Sequence, residues 1–458
     1  MMVVGCGSGG GDGGTDNAIA DAAASPAPAA ATPAPAAAAT PAPAPVTTSA
    51  PAPAPTSSAP GAPTVTASAS ITLAPLASGA LKAVAATFSG ADSVTSTIEW
   101  KFRDSSRANA LPFSASTGMS RVYMNCRWRV RSIATNAKGS TEAVSAWSAP
   151  VIESDGSKTL LGVHTGNDLA GSQAVPGFDA WLGRPTDGVQ FFGGYGDGTS
   201  NLTDSFANWK GSLGWITYSG GSNYTSLKNS KVFFWSIPLI PTHGSLADAA
   251  NANDTAYMDI WTYHLNNMLK ENRAEGPIYV RVGWEFNGDW FPWTAAGNAS
   301  NYIAAFRRFA TNARSISNRF VLEWNGTSGV QSVDPETVYP GDDYVDIISS
   351  DWYVKASDFS GNALNGFNWQ KSQNKGLLWL VAFAAAHGKP YAIAEWGVAQ
   401  NAAGSDPGAG IVDAFNDFFK AYPDCVYHSY WNNNAAFPGV LANKPSAAAA
   451  YKTNFKVV

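Results

Sequence analysis

Eight strand-like runs of apolar residues recur along residues 154–458, and segments with helical periodicity separate several of them. The runs occupy residues 160–164, 189–193, 232–238, 278–284, 320–324, 344–349, 391–395 and 426–431. Helical patterns cover residues 255–271, 301–315 and 375–387. Eight strands alternating with helices over about 300 residues are typical of an α/β fold of the (β/α)8 TIM-barrel type. An open doubly wound sheet is the alternative, but no glycine-rich phosphate loop follows any of these strands.

Residues 64–153 have a different pattern, with short alternating runs spaced roughly ten residues apart. Strands are predicted at residues 65–67, 71–73, 84–88, 98–102 and 128–134, which together favour a small β-sandwich. Residues 128–140, followed by 145–148, resemble the last two strands of a fibronectin type III or related immunoglobulin-like module. Trp100 and Trp147 are candidates for carbohydrate binding, and a spacer module with tryptophans in its core is the favoured alternative.

Residues 1–63 are predicted to form a disordered linker rich in alanine and proline. From residue 7 onward this segment holds three aspartates, no lysine or arginine, and twelve of the 28 prolines. Such a composition buries too little apolar surface to offset the entropy lost on ordering. Cys6 follows a short apolar start that resembles the cleavage end of a bacterial lipoprotein signal, although the stretch is far too short for a working signal peptide. Lipidation of Cys6 and a chance likeness both remain open, and we expect an extracytoplasmic protein, secreted or lipid-anchored at the bacterial cell surface.

Composition narrows the range of partners. A formal net charge of −5 argues against nucleic-acid binding, which usually requires a basic surface. The low charged fraction (14%) and the 17 tryptophans are typical of a protein that binds neutral polymers. A large aromatic core would explain the same composition equally well. The three cysteines lie far apart, so no disulfide framework is expected. His164 and His243 lack the neighbours of a metal site, so we predict no metal, no cofactor and a monomer that binds a polysaccharide.

Acidic residues at the ends of the predicted strands supply the candidate chemistry. In a (β/α)8 barrel the active site forms at the carboxyl ends of the strands. Glu285 closes the fourth strand, Asp351 closes the sixth and Glu395 closes the seventh. Glycosidases need two carboxyl groups on either side of the scissile bond, and Glu285 with Glu395 could supply them. Glu323 is a rival that could point inward as a supporting or ion-paired residue.

Residues near these carboxylates are candidates for supporting and sugar-binding roles. Alternation places Tyr279, Arg281, Gly283 and Glu285 on one face, so Arg281 could pair with a nearby carboxylate or be a structural ion-pair member. Tyr353 could hydrogen-bond to Glu395 and hold its rotamer. Flat aromatic faces suit sugar rings, and loop-core packing is their alternative role. The candidates for contact with substrate are Trp284, Asn287, Trp290, Phe291, Trp293, Trp352, Tyr353, Trp396, Trp431 and His164.

Four segments carry a resemblance to a known family: residues 281–293, 339–347, 351–353 and 394–397. Together they resemble glycoside hydrolases of clan A and most closely family 26, which includes β-mannanases. The likeness covers about residues 160–458. It implies a retaining endo-hydrolase with Glu285 as general acid/base, Glu395 as nucleophile and Trp431 as the platform beneath the cleaved sugar. The family places histidine just before the acid/base, whereas Trp284 stands there in this chain, which leaves the substrate class open.

The sequence therefore predicts a retaining endo-glycosidase acting on a β-linked polysaccharide, with β-1,4-mannan first by resemblance. A β-glucan or a bacterial exopolysaccharide is the next candidate substrate. A non-catalytic polysaccharide-binding surface protein on the same barrel is the alternative of another class, and a transglycosylase would use the same residues.

Overall fold

The computed structural model describes residues 53–57, 59–73, 76–154, 156–213, 227–272, 275–354, 363–398 and 408–456. The first ten strands form a β-sandwich made of three small antiparallel sheets, ordered β1-β10-β9-β6-β7, β2-β5 and β3-β4-β8. These strands are β1 (Thr56–Ser57), β2 (Thr64–Ala67), β3 (Ser70–Leu73), β4 (Ala80–Val84), β5 (Thr87–Ser89), β6 (Ser93–Phe102), β7 (Asn109–Pro112), β8 (Ser116–Gly118), β9 (Cys126–Asn136) and β10 (Gly139–Val144).

Two boundaries in this region differ from the sequence prediction. The run at 84–88 is divided between β4 and β5, which belong to different sheets, because the chain leaves one sheet at residues 85–86. The sandwich also begins inside the predicted linker, where β1 pairs through its backbone with β10. An edge strand of this kind needs no apolar side chains, so hydrophobic pattern does not reveal it. Cys6 and most of the predicted linker lie outside the described residues.

The long strand β9 shows how the sandwich core forms. Its side chains alternate, so Trp128 and Val130 are buried while the intervening arginines are partly exposed. Trp100 on β6 pairs with Trp128 across the sheet and is also buried in the core. Lys101 and Arg129 lie over the ring of Trp147, 4.8 and 4.5 Å from its centroid. Trp100 is therefore a core residue with no face for a sugar.

The rest of the described chain confirms the predicted (β/α)8 barrel. Eight parallel strands close in sequence order. They are β11 (Leu160–His164), β12 (Gly188–Phe192), β13 (Val232–Ile237), β14 (Ile278–Val282), β15 (Phe320–Thr327), β16 (Ile347–Val354), β17 (Tyr391–Val398) and β18 (Cys425–Trp431). The helices are α1 (Leu169–Leu182), α2 (Leu202–Gly211), α3 (Leu246–Ala250), α4 (Thr255–Glu271), α5 (Ala299–Ile316), α6 (Ala363–Ser372), α7 (Leu377–Ala386), α8 (Ala409–Ala421) and α9 (Pro445–Phe455). None of the described helices is both long and apolar enough to cross a bilayer.

Three strand ends differ from the prediction in ways that affect the site. Strand β14 stops at Val282, and a turn with positive φ at Gly283 and Glu285 follows it, so simple alternation does not extend to Glu285. Strands β16 and β17 run further than predicted, which places Asp351 and Glu395 inside the strands. These two residues are register partners on neighbouring strands.

An aromatic layer fills the lower part of the barrel. Phe234 and Tyr427 stack with ring centroids 4.0 Å apart and an interplanar angle of 8°. Gly162 and Gly188 make room for Phe234, because a Cβ at Gly188 would lie 2.2 Å from the phenylalanine ring. The barrel is thus a packed core at this level.

The sandwich covers the amino-terminal end of the barrel, and the two modules share one apolar cluster. Phe102 meets Tyr279 edge to face at 6.0 Å. Three arginines from sandwich loops also reach aspartates that directly precede barrel strands: Arg103 bonds to Asp424, Arg107 to Asp346 and Arg121 to Asp187. The sandwich is therefore attached to the barrel wall at several points of its circumference.

We expect Arg107→Ala to destabilise the whole protein. Arg107 lies 2.6 Å from the largely buried Asp346, which also accepts the backbone N–H of Leu322. Removing one partner of a buried charge costs about 1–3 kcal/mol. Thermal unfolding followed by calorimetry should show a single transition at a lower Tm. Arg131→Ala, which removes a more exposed pair with Glu142, is the matched control and should shift the Tm less. Equal shifts for the two variants would contradict the role of this contact.

Buried His264 on α4 should make stability fall in acid. Burial lowers the pKa of His264 from 6.5 to about 4. The unfolded chain then takes up a proton near pH 6.5 and the folded chain only near pH 4, so this stability is present above pH 6.5 and is lost as the pH falls. His264→Phe should reduce the drop in Tm between pH 7 and pH 4.5. The exposed His243→Phe variant should follow the parent; identical curves for all three proteins would refute this account.

Candidate active site

The guanidinium of Arg281 lies at the centre of a polar layer above the aromatic floor of the barrel. Arg281 is 2% exposed and extends from β14. Its Nη1 donates to both carboxylate oxygens of Asp351, at 2.9 and 2.8 Å, and its Nη2 donates to Glu395. Its Nε donates to Ser236 at 2.9 Å. With its amide oriented to satisfy its neighbours, Gln190 accepts from Nη2 at 2.6 Å. Arg281 therefore holds acidic residues from two other strands.

Glu395 is fully buried and held from two sides. The hydroxyl of Tyr353 donates to Oε2 at 2.5 Å, and Arg281 binds Oε1. Gln370 donates to the carbonyl of Tyr353 at 3.0 Å and so anchors the tyrosine backbone to α6. The predicted supporting contacts of Arg281 and Tyr353 with Glu395 are therefore both present in the structure.

Glu285 reaches the same end of the barrel through the turn after β14. Its φ of 51° lies in the left-handed region, which is uncommon for a residue with a side chain. Its N–H donates to the carbonyl and to Oδ1 of Asn325, at 2.9 and 3.2 Å. The indole N–H of Trp290 donates to its Oε2 at 2.9 Å. Trp290 is 36% exposed, so this carboxyl group lies beneath an aromatic ring that faces solvent.

Asp351 is close enough to both Glu285 and Glu395 for their charges to affect its pKa. Burial raises the pKa of Asp351 well above its ordinary value, the charges of Glu395 and Glu285 raise it further, and Arg281 opposes the shift. Burial alone would lower the pKa of Arg281, yet Asp351 and Glu395 hold it well above its ordinary value. The cluster thus contains one permanent cation surrounded by acids.

Glu323 occupies a deeper position than the other acids. Ser349 and Tyr427 donate hydrogen bonds to its two carboxylate oxygens. Burial raises its pKa, while Arg281 and the two hydroxyl donors lower it. This position fits the supporting role considered from the sequence, because one of its donors, Tyr427, belongs to the aromatic layer below the polar cluster.

Four contacting aromatic side chains form a wall on one side of the barrel mouth: His164, Trp431, Phe192 and Trp284. The rings of His164 and Trp431 stack at 4.3 Å, and Phe192 meets both edge to face. Phe192 then contacts Trp284 at 5.4 Å, and the guanidinium of Arg281 lies near both of these rings. Burial lowers the pKa of His164 to about 4, so this histidine is neutral near pH 7. Its Nδ1 donates to the carbonyl of Gln190 at 3.0 Å.

Four residues predicted to touch substrate are committed to internal contacts: Asn287, Trp293, Trp352 and Trp396. The amide of Asn287 is fully buried and binds the backbone of Thr327 and Gly329. Trp293 is fully buried, donates to the carbonyl of Trp284 and stacks on Phe291.

Trp396 packs outside the barrel wall, because its ring contacts Phe415 on α8 and its N–H donates to His428. Trp352 is likewise fully buried. Since neighbouring residues of a strand point to opposite faces, the residues next to Asp351 and Glu395 face the helices. Trp352 and Trp396 therefore have no ring face open to a sugar.

Sequence reasoning missed several polar residues of the site: Gln190, Ser236, Asn325, Ser349 and Ser429. Gln190 and Ser236 each stand alone in an otherwise apolar barrel strand, whereas Asn325, Ser349 and Ser429 lie in strands with further polar residues. A lone polar residue in a run of buried hydrophobic residues needs a partner, since an unpaired polar group is costly inside a protein. That signal could have indicated a polar layer inside the barrel. Within the described residues, no three His, Cys, Asp or Glu side chains are grouped as a metal site.

Comparison with known proteins shows a similarity to one family over part of the barrel. Residues 246–394, which include Arg281, Glu285, Asn325 and Asp351, match the family described as Glycosyl hydrolase family 26. Glu395 lies one residue beyond the matched region, and the sandwich lies outside it.

Relatives of this chain include enzymes named for two different polymers. Endoglucanase H of Acetivibrio thermocellus is 27% identical over 300 residues, which cover 60% of this chain and 29% of that protein. Mannan endo-1,4-beta-mannosidase A and B of Caldalkalibacillus mannanilyticus is 29% identical over 166 residues, which cover 34% of this chain and 28% of that protein. The chain thus spans less than a third of the length of each of these relatives.

Solved structures with similarity include a family 26 β-mannanase from Bacteroides ovatus. It has 18% sequence identity and a TM-score of 0.44, and the match covers 64% of this chain and 87% of that chain.

Proposed function

We propose that this protein is a retaining endo-glycosidase that hydrolyses a β-linked polysaccharide by double displacement. The observation that carries the proposal is the pair of buried carboxyl groups on β17 and after β14, arranged around Arg281 and differing in their partners. Retaining glycosidases use one carboxylate as nucleophile and the other as general acid and then base.

Glu395 suits the role of nucleophile. Attack on the anomeric carbon requires an ionised carboxylate in a fixed orientation. Arg281 provides the counter-charge and Tyr353 provides a second donor, so both oxygens have a defined position. When the glycosyl–enzyme bond forms, the negative charge leaves Glu395, and the same two donors stay in place for its return on hydrolysis.

Glu285 suits the role of general acid/base. It must donate a proton to the leaving oxygen and later remove one from water. Its partner Trp290 is a single neutral donor at the rim, in contrast to the charged partner of Glu395. Trp290 and Trp431 are the proposed sugar contacts, because one is exposed beside the acid and the other closes β18 at the barrel mouth.

The first substrate candidate is β-1,4-mannan, which the name of the Caldalkalibacillus mannanilyticus relative supports. A β-glucan is the second candidate, and two observations favour it. The endoglucanase relative aligns over a larger share of this chain. In addition, Trp284 replaces the expected histidine with an aromatic ring packed against Phe192 and Trp293, so a polar contact near the acid is missing. A bacterial exopolysaccharide is the third candidate substrate. We also propose that the protein is extracytoplasmic.

The test is reducing-sugar release from mannan, mixed-linkage β-glucan, xylan and the producer's exopolysaccharide, with products checked for transglycosylation. The parent should cleave one of these polymers internally. Glu285→Gln and Glu395→Gln should each lower kcat on that polymer roughly 100-fold or more while the fold is retained by circular dichroism, because each removes an essential proton transfer or nucleophile. The surface variant Glu275→Gln is the control. Full activity in either site variant, or binding without any cleavage by the parent, would overturn the proposal.

Tyr353→Phe should lower kcat about 10–100-fold with little change in KM. The variant loses the hydroxyl donor to Glu395, and a hydrogen bond to a charged group contributes about 1.5–3 kcal/mol. Steady-state kinetics on the cleaved polymer provide the measurement. Tyr263→Phe, on the exposed face of α4, serves as control. A kcat equal to that of the parent would mean that this hydroxyl does not support the nucleophile.

A further inference from the structure

Asn325 on β15 contacts the turn that carries Glu285 and the charged cluster that holds Glu395. Its side chain is fully buried. Its Oδ1 accepts the backbone N–H of Glu285 at 3.2 Å and lies 3.4 Å from Nη1 of Arg281. Its Nδ2 donates to Asp351 at 3.0 Å and to Ser349 at 2.9 Å. One neutral amide thus joins the turn that carries Glu285 to the charged cluster that holds Glu395.

The turn at Glu285 requires such a contact. A non-glycine residue with left-handed φ costs about 1–2 kcal/mol and persists only when its surroundings hold it in place. The N–H of Glu285 is shared between the carbonyl and the side chain of the same asparagine. Without the Asn325 side chain, the Glu285 N–H would keep only its hydrogen bond to the Asn325 carbonyl.

The amide is also the side chain that fits this position. An asparagine presents an acceptor to Glu285 and Arg281 and a donor to Asp351 and Ser349 at the same time. A carboxylate in its place would lack the donor and would add a negative charge beside Asp351. An alkyl side chain would leave the Asp351 carboxylate with one fewer hydrogen bond in a buried site.

We propose that Asn325 is a positioning residue for the acid/base, which keeps the Glu285 carboxyl group directed at the leaving oxygen by fixing the backbone turn beneath it. This inference rests on the proposed function of Glu285. In this role Asn325 has no contact with substrate and acts by holding the Glu285 side chain in position.

The test uses two substrates that differ in their need for a general acid. The natural polymer has a poor leaving group that must be protonated, whereas the 2,4-dinitrophenyl glycoside of a matching oligosaccharide leaves without a proton. For Asn325→Ala, kcat/KM should fall about 10–100-fold on the polymer and less than about 3-fold on the dinitrophenyl substrate. Asn325→Ser, which leaves a smaller cavity but does not reach the Glu285 N–H, should show the same selectivity if the alanine variant folds poorly.

Two further variants make the outcome unambiguous. Ser349→Ala removes another partner of the Asn325 amide without touching the Glu285 turn, so both substrates should change by the same factor. Glu285→Ala should lose activity on the polymer but keep its kcat/KM on the dinitrophenyl substrate, because that ratio reports formation of the glycosyl–enzyme and not the later base-assisted attack of water. If Glu285→Ala shows no such selectivity, the proposed function of Glu285 fails. If Glu285→Ala is selective while the Asn325 variants lower both rates equally, only the positioning role of Asn325 is overturned.

Discussion

The charge of Arg281 is the interaction on which the rest of the site depends. A guanidinium buried inside a barrel is costly unless its donors are all used, and each carboxylate around it is costly unless it has a counter-charge. Arg281 meets both requirements by binding Asp351 and Glu395 from two strands and Ser236 from a third. Removing Arg281 would leave two acids unpaired in the barrel, so this residue stabilises the fold and the site together.

The same arrangement separates the two glutamates by environment. Glu395 lies inside a strand with a cation and a hydroxyl on its oxygens, while Glu285 lies on a strained turn with an indole donor at the rim. Glu395 lies inside a barrel strand and Glu285 lies in the turn after one, so the two carboxyl groups differ in backbone setting as well as in partners. In the proposed double displacement these settings suit two tasks, because the nucleophile needs a fixed, ionised carboxylate and the acid/base exchanges protons.

Much of the fold follows from the sequence because eight apolar runs with helical segments between them are compatible with few architectures. The pairing of Arg281 and Tyr353 with Glu395 was also predictable, since strand alternation points these side chains inward. Trp396, Trp293 and Asn287, which were predicted to touch substrate, are packed inside the protein, and for Trp396 strand alternation explains this because it turns the ring outward to the helices. Asn325 and Gln190 escaped attention because their importance arises from contacts between strands that are distant in sequence.

The ion pairs between the sandwich arginines and the barrel aspartates lie at one end of the barrel, and the candidate active site lies at the other. The amino-terminal strand ends are attached to a second module by Arg103, Arg107 and Arg121, while the carboxyl ends carry the acids and the aromatic wall. The contacts that join the two modules therefore lie at the opposite end of the barrel strands from the candidate active site. A substitution among the aromatic residues around Trp284 would leave the arginine–aspartate contacts between the modules unchanged.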